Sequence, residues 1–146
     1  MSQVFGAITS EYLERLIEHA GETVRLDLNV SAPLPLAPAQ VAVVDAVVAD
    51  LDRHDAAARA AFTAMLADPA AQPVLFWEFH RDEVPEHAGL DRDAFVPALG
   101  LVRVGVYVGE ATDVVLDYAL RGPRTDQLLV AKLDEQGAVR AVSWES

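Results

Sequence analysis

Alternation of apolar and polar residues predicts strands in two parts of the chain. In residues 24–30, valine and leucine alternate with charged or polar residues, which is typical of a strand with one buried face. The last third shows the same period in four segments, residues 101–108, 114–120, 127–133 and 138–145. Because their short connections join only antiparallel neighbours, these four segments predict an antiparallel meander.

Helical spacing dominates the middle of the chain. Pro38 suits the first turn of a helix, and a break is expected at His54 or Asp55, before an alanine-rich stretch. The segment that follows Pro73 fits either a helix or a strand, and we favour a helix. Asp91 is a suitable N-cap for a short fourth helix. The predicted helices cover residues 38–53, 56–67, 73–83 and 92–99.

The N-terminal segment has two interpretations. The apolar residues within 10–19 have helical spacing, but the same stretch suits a strand that pairs through a turn at Gly21. Residues 4–8 form a short apolar run that suits an edge strand. The expected fold class is α+β: a C-terminal four-stranded antiparallel meander, extended by one or two N-terminal strands, with the central helices packed on one face.

Length and composition narrow the class of protein. A chain of 146 residues predicts a single domain, residues 1–146, and a hydrophobic share of 52% excludes a disordered chain. No apolar run approaches the roughly 18 residues that span a bilayer, and the first basic residue, Arg15, follows two acids. We therefore expect a cytoplasmic protein without membrane contact. The absence of cysteine excludes disulfides and thiolate catalysis.

A net charge of −12 adds a hypothesis about partners. An acidic surface repels nucleic acid and attracts basic proteins. Asp45, Asp50, Asp52 and Asp55 are candidate partner-binding residues, although a solvated helix face explains them as well. The sequence therefore favours a non-enzymatic module that binds a basic protein. One form of it, by analogy with other small acidic bacterial proteins, is an immunity-type protein that masks a basic toxin.

Two other functions stay open. His80, Glu83, Glu86 and His87 are candidate metal ligands, which would suit a metal-dependent enzyme centred on His80 and Glu83. Against this, Pro85 interrupts the segment, and His80 in an apolar stretch suits a core histidine bonded to the backbone. No nucleophile elbow or phosphate loop occurs, so no catalytic residue and no cofactor are predicted. Self-association into a homodimer is the third possibility.

One buried charge is also anticipated. Asp117 and Tyr118 are adjacent in a predicted strand, so their side chains point to opposite faces of the sheet. If Asp117 is the buried one of the two, it requires a partner, and an arginine is the expected one.

A series of short motifs runs along most of the chain. They are residues 5–6 (FG), 24–29 (VRLDLN), 79–83 (FHRDE), 116–118 (LDY), 125–130 (TDQLLV), 134–137 (DEQG) and 145–146 (ES). In this order they resemble the bacterial domain-of-unknown-function family numbered two thousand and four. That family has no assigned activity, so the resemblance implies a fold and no functional residues.

Overall fold

A mixed six-stranded sheet forms one layer of the protein in the computed structural model, which describes residues 1–146. The strands lie in the order in which they occur in the chain. They are β1 (Tyr12–His19), β2 (Glu22–Val30), β3 (Leu99–Val108), β4 (Thr112–Leu120), β5 (Leu128–Asp134) and β6 (Val139–Glu145).

The C-terminal meander is confirmed, because β3 to β6 are consecutive antiparallel neighbours. The sheet has six strands, since a β1–β2 hairpin is added at the β3 edge. Residues 12–19 therefore form a strand, and the helical interpretation of this segment is wrong. A two-residue turn joins β1 to β2, with positive φ at both Ala20 (50°) and Gly21 (78°), as a tight hairpin requires.

The pairing of β2 with β3 is parallel, which makes the sheet mixed. Parallel neighbours need a long crossover, and all the helices lie in this connection. They are α1 (Pro38–Ala49), α2 (Leu51–Met65), α3 (Gln72–Glu83) and α4 (Arg92–Ala98), with a short 3₁₀ turn (Pro85–His87) before α4. None of these helices combines the length and apolarity needed to cross a membrane.

Two boundaries differ from the prediction. The break between the first two helices falls at Asp50, whose backbone leaves the helical conformation (φ −99°, ψ 23°). The second helix continues through the expected break, because the His54 backbone N–H donates to the Asp50 carbonyl (3.2 Å). Residues 4–8 form no strand. Ser2 instead closes a turn in which its hydroxyl accepts the Phe5 N–H (3.0 Å), and Phe5 enters the core. The helix at 73–83 and the Asp91 cap are confirmed.

The helices and the N-terminal segment cover one face of the sheet. Alternate residues of the strands point into this layer and form the core with Phe62, Phe76 and Phe95 from the helices. The opposite face carries no helix. We call it the uncovered face, and its side chains contact mainly one another.

Candidate functional site

The uncovered face ends in a row of aligned side chains. Tyr12 pairs with Asn29, Asn29 with Tyr107, and Tyr107 with Asp113, across four neighbouring strands. Cross-strand partners project to the same side of a sheet. The row therefore presents two tyrosines with an asparagine between them at one end of the uncovered face.

Exposed apolar side chains concentrate on this face. The large apolar residues exposed in the whole protein are Met1, Tyr12 (50%), Leu16 (73%) and Tyr107 (37%). The last three belong to β1 and β3 and point away from the helices. Tyr12 and Leu16 were not predicted to be exposed, because residues 10–19 had two interpretations. As strand residues they share one face with Glu14 and Glu18, and this pattern indicates exposure.

A buried ion cluster lies beside the tyrosines. Arg103 donates from Nε and Nη2 to the two carboxylate oxygens of Asp27, both at 2.7 Å, and its Nη1 lies 3.5 Å from Asp117. Asp27 is only 1% exposed. The expected arginine partner of Asp117 is thus confirmed. Burial nevertheless raises the pKa of Asp117, while the hydrogen bonds to Asp27 raise the pKa of Arg103.

Gly105 makes room for this arginine. A Cβ atom at Gly105 would lie 2.6 Å from Arg103 Nη2 and 3.0 Å from Cε1 of Tyr107. Because Gly105 has no side chain, the Arg103 guanidinium extends over it along β3 and donates to the Tyr107 hydroxyl (2.8 Å). The buried cluster therefore supports one of the exposed rings.

A cleft of about 510 Å³ opens at the row of tyrosines. Its acidic lining residues are Glu11, Glu110 and Asp113, and no basic residue lines it. The Glu11 and Glu110 carboxylates make no hydrogen bond or ion pair in the protein, and Asp113 lies 3.6 Å from Lys132. The cleft is thus lined by two tyrosines and by two unpaired carboxylates, those of Glu11 and Glu110.

The Tyr12 hydroxyl lies close to carboxylates outside the cleft. It donates to Glu14 Oε2 at 3.2 Å. Loss of hydration and the carboxylates of Asp27 and Glu14 raise the pKa of Tyr12. Half of the Tyr12 side chain is exposed, so its ring is available for contact.

The four candidate partner-binding aspartates do not form one free surface. Asp45 accepts from the Ser2 hydroxyl (2.6 Å) and thereby fixes the N-terminal turn. Asp50 lies at the α1–α2 junction, and Asp52 is 96% exposed on α2. Asp55 is buried, so its carboxylate is outside any docking surface.

Asp55 is the centre of a buried hydrogen-bond network. Its Oδ1 accepts from the Tyr118 hydroxyl (2.6 Å) and from Arg59 Nε (2.8 Å), while Oδ2 accepts from His19 Nε2 (2.9 Å). Arg59 also donates to the Leu99 carbonyl (2.9 Å) at the start of β3. One carboxylate therefore connects α2 to β1, β4 and the start of β3.

The pKa values in this network follow from these contacts. Burial alone would raise the pKa of the Asp55 carboxyl, but the hydrogen bonds from Tyr118 and His19 and the charge of Arg59 outweigh it. The pKa of Asp55 therefore lies below its ordinary value. Burial, followed by the Asp55 charge, raises the pKa of Tyr118. The network thus pairs an ionised carboxylate with a neutral phenol.

The histidine region of α3 is organised around the backbone. His80 is buried and donates from Nδ1 to the Phe76 carbonyl (2.8 Å), as the core interpretation predicted. Its Nε2 accepts from the Thr125 hydroxyl (3.0 Å), and burial lowers the pKa of His80. Thr125 also accepts the Gln127 N–H (3.2 Å), so this pair fixes the β4–β5 connection.

The candidate metal ligands are not brought together as a set. The rings of His80 and His87 are neighbours, with centroids 5.9 Å apart. Glu83 and Glu86 are exposed. No three histidine or carboxylate side chains in the protein lie close enough together to hold a metal ion. The metal hypothesis therefore finds no ligand set around His80 and Glu83.

Comparisons with models of protein families, with curated proteins and with solved structures find no match. The resemblance to the bacterial family of unknown function stays a prediction.

Proposed function

We propose that the protein is a non-enzymatic binding module that engages a basic protein through its uncovered face. The observation that carries the proposal is the exposure of three large apolar side chains on this face, two of which, Tyr12 and Tyr107, line the acidic cleft. Clustered exposed apolar residues mark interaction sites, and tyrosine is enriched in them. We call this surface the docking face; it consists of Tyr12, Leu16, Tyr107, Glu11 and Glu110.

Charge supports a basic partner. The protein carries a net charge of −12, and the carboxylates of Glu11 and Glu110 are not neutralised within the fold. Unpaired rim charges of this kind steer an oppositely charged partner and accelerate its association. The same charge opposes binding of nucleic acid.

A second copy of the chain fits this face less well. Two copies that dock through this face would bring together the unpaired Glu11 and Glu110 carboxylates of both chains, each chain with a net charge of −12. Like charges across an interface oppose association. A hetero-complex is therefore favoured over the homodimer.

Capture with two charge-reversed baits tests the proposal. The first bait carries Glu11→Lys and Glu110→Lys on the docking face. The matched control carries Glu83→Lys and Glu86→Lys on the helical side, where both glutamates are exposed and make no hydrogen bond or ion pair in the protein. Both variants change the net charge equally, so they separate a local surface from overall charge.

We expect wild type and the control variant to retain a basic protein from a lysate of the source organism at low salt. The docking-face variant should associate with the purified partner about tenfold more slowly, measured by surface plasmon resonance. Equal retention by both variants would contradict the proposal. If both variants lose binding equally, the interaction depends on the overall charge of the protein and not on the docking face. If the captured partner is an enzyme and the protein is of the immunity type, an equimolar amount of the protein should abolish the activity of the enzyme.

A further inference from the structure

We infer that the cleft at the end of the docking face binds the guanidinium group of an arginine side chain. This inference rests on the proposed function, because it names the group of a basic partner that the docking face would recognise. It is carried by the arrangement of aromatic rings, an unused acceptor and unpaired carboxylates around one cavity.

Two tyrosines line the cleft. Tyr12 and Tyr107 occupy strands on either side of Asn29. Neighbouring strands lie about 4.8 Å apart, so the two tyrosine backbones are about 10 Å apart. Asn29 lies between them and also lines the cleft, whose volume of about 510 Å³ is large enough for the end of an arginine side chain.

The polar groups of the cleft are acceptors. Asn29 donates from Nδ2 to Asp27 (2.6 Å), and its Oδ1 makes no hydrogen bond within the protein. The carboxylates of Glu11, Glu110 and Asp113 complete the lining. A guanidinium group carries five N–H donors and no acceptor, so its chemistry complements this set. It is also weakly hydrated and stacks on aromatic rings, which favours it over an ammonium group.

Both rings are held in position before a ligand arrives. The Tyr107 hydroxyl accepts from Arg103 (2.8 Å), and the Tyr12 hydroxyl donates to Glu14 (3.2 Å). Arg103 is itself fixed by Asp27. Side chains that are ordered in the free protein lose less entropy on binding, so the cleft is preorganised.

A titration followed by ¹⁵N-resolved NMR tests the inference. The probe is Nα-acetyl-arginine amide. Nα-acetyl-citrulline amide, which has the same shape without charge, is the control at equal ionic strength. We expect saturable shifts that are confined to the amides around Asn29 and Glu110 and absent with citrulline. Tyr107→Leu should weaken binding at least fivefold; if this variant does not fold, Tyr12→Leu provides the same comparison.

Two results would overturn the inference: no localised shift, or an equal response to citrulline. A failure of the proposed function would give a different pattern of results. If the arginine probe gives no shift while capture of a basic protein still depends on Glu11 and Glu110, only the guanidinium site is lost. If the probe binds the cleft but no basic protein distinguishes the two charge-reversed baits, only the proposed function is lost.

Discussion

Replacing Asp55 with alanine is expected to lower the free energy of unfolding by about 3–5 kcal/mol. The substitution leaves a partly exposed arginine and a buried histidine and tyrosine without their shared acceptor, and the unmatched buried groups account for most of the loss. Chemical denaturation monitored by circular dichroism gives the value. Asp93→Ala is the control, because the Asp93 carboxylate is exposed and makes no hydrogen bond or ion pair; it should change stability by less than about 1 kcal/mol.

The contribution of Asp55 should also depend on pH. Its pKa is lower in the folded protein than the ordinary value of about 3.9. A carboxylate with a lowered pKa stabilises the fold above its unfolded pKa, and this contribution is lost as pH falls through the folded pKa. The stability difference between wild type and Asp55→Ala should thus be constant above about pH 5 and shrink below about pH 3.9. A constant difference down to pH 2 would contradict the assignment of an ionised, paired carboxylate.

Arg103→Met is expected to cost about 3 kcal/mol, because it leaves the 1%-exposed Asp27 without its bidentate partner. Arg25→Met is the control. Arg25 is the cross-strand neighbour of Arg103, but it is half exposed and lies 3.8 Å from Asp27, so its loss should cost less than about 1 kcal/mol.

A double-mutant cycle identifies the cause. Adding Asp27→Asn to Arg103→Met removes the stranded charge, so the double variant should be more stable than additivity predicts. Coupling below about 0.5 kcal/mol between the two positions would show that the ion pair is not what holds this part of the sheet together.

Local pattern predicted much of the fold. Strand β2 was found because four apolar residues, Val24 to Val30, alternate with polar ones, and the meander because its connections are short. Strand β1 was ambiguous, because Leu13 and Ile17 are spaced four apart, which suits a helix as well as one face of a strand. Only pairing with β2 decides between the two, and pairing is not a local property.

The site was harder to predict than the fold. Asp55 belongs to one helix face with Ala58 and Phe62, at spacings of three and seven, and this pattern indicates its burial. The pairing of Asp27 with Arg103 joins residues 76 positions apart. It depends on the parallel register of β2 and β3, as does the alignment of Tyr107 with Asn29. No periodicity in the sequence contains that register, so the alignment of Tyr107 with Asn29 and Tyr12 could not be predicted from the sequence.

Amide hydrogen exchange of the complex tests most directly which face of the protein binds. Exchange rates are compared between the free protein and the protein saturated with its basic partner. This partner is the one that binds the two charge-reversed variants differently. Binding through the docking face should slow exchange in β1, at the exposed edge of the sheet, and in the β3–β4 turn that contains Glu110. Protection confined to α1, α2 and α3, with β1 and the turn unchanged, would contradict it, because the partner would then bind the helical layer.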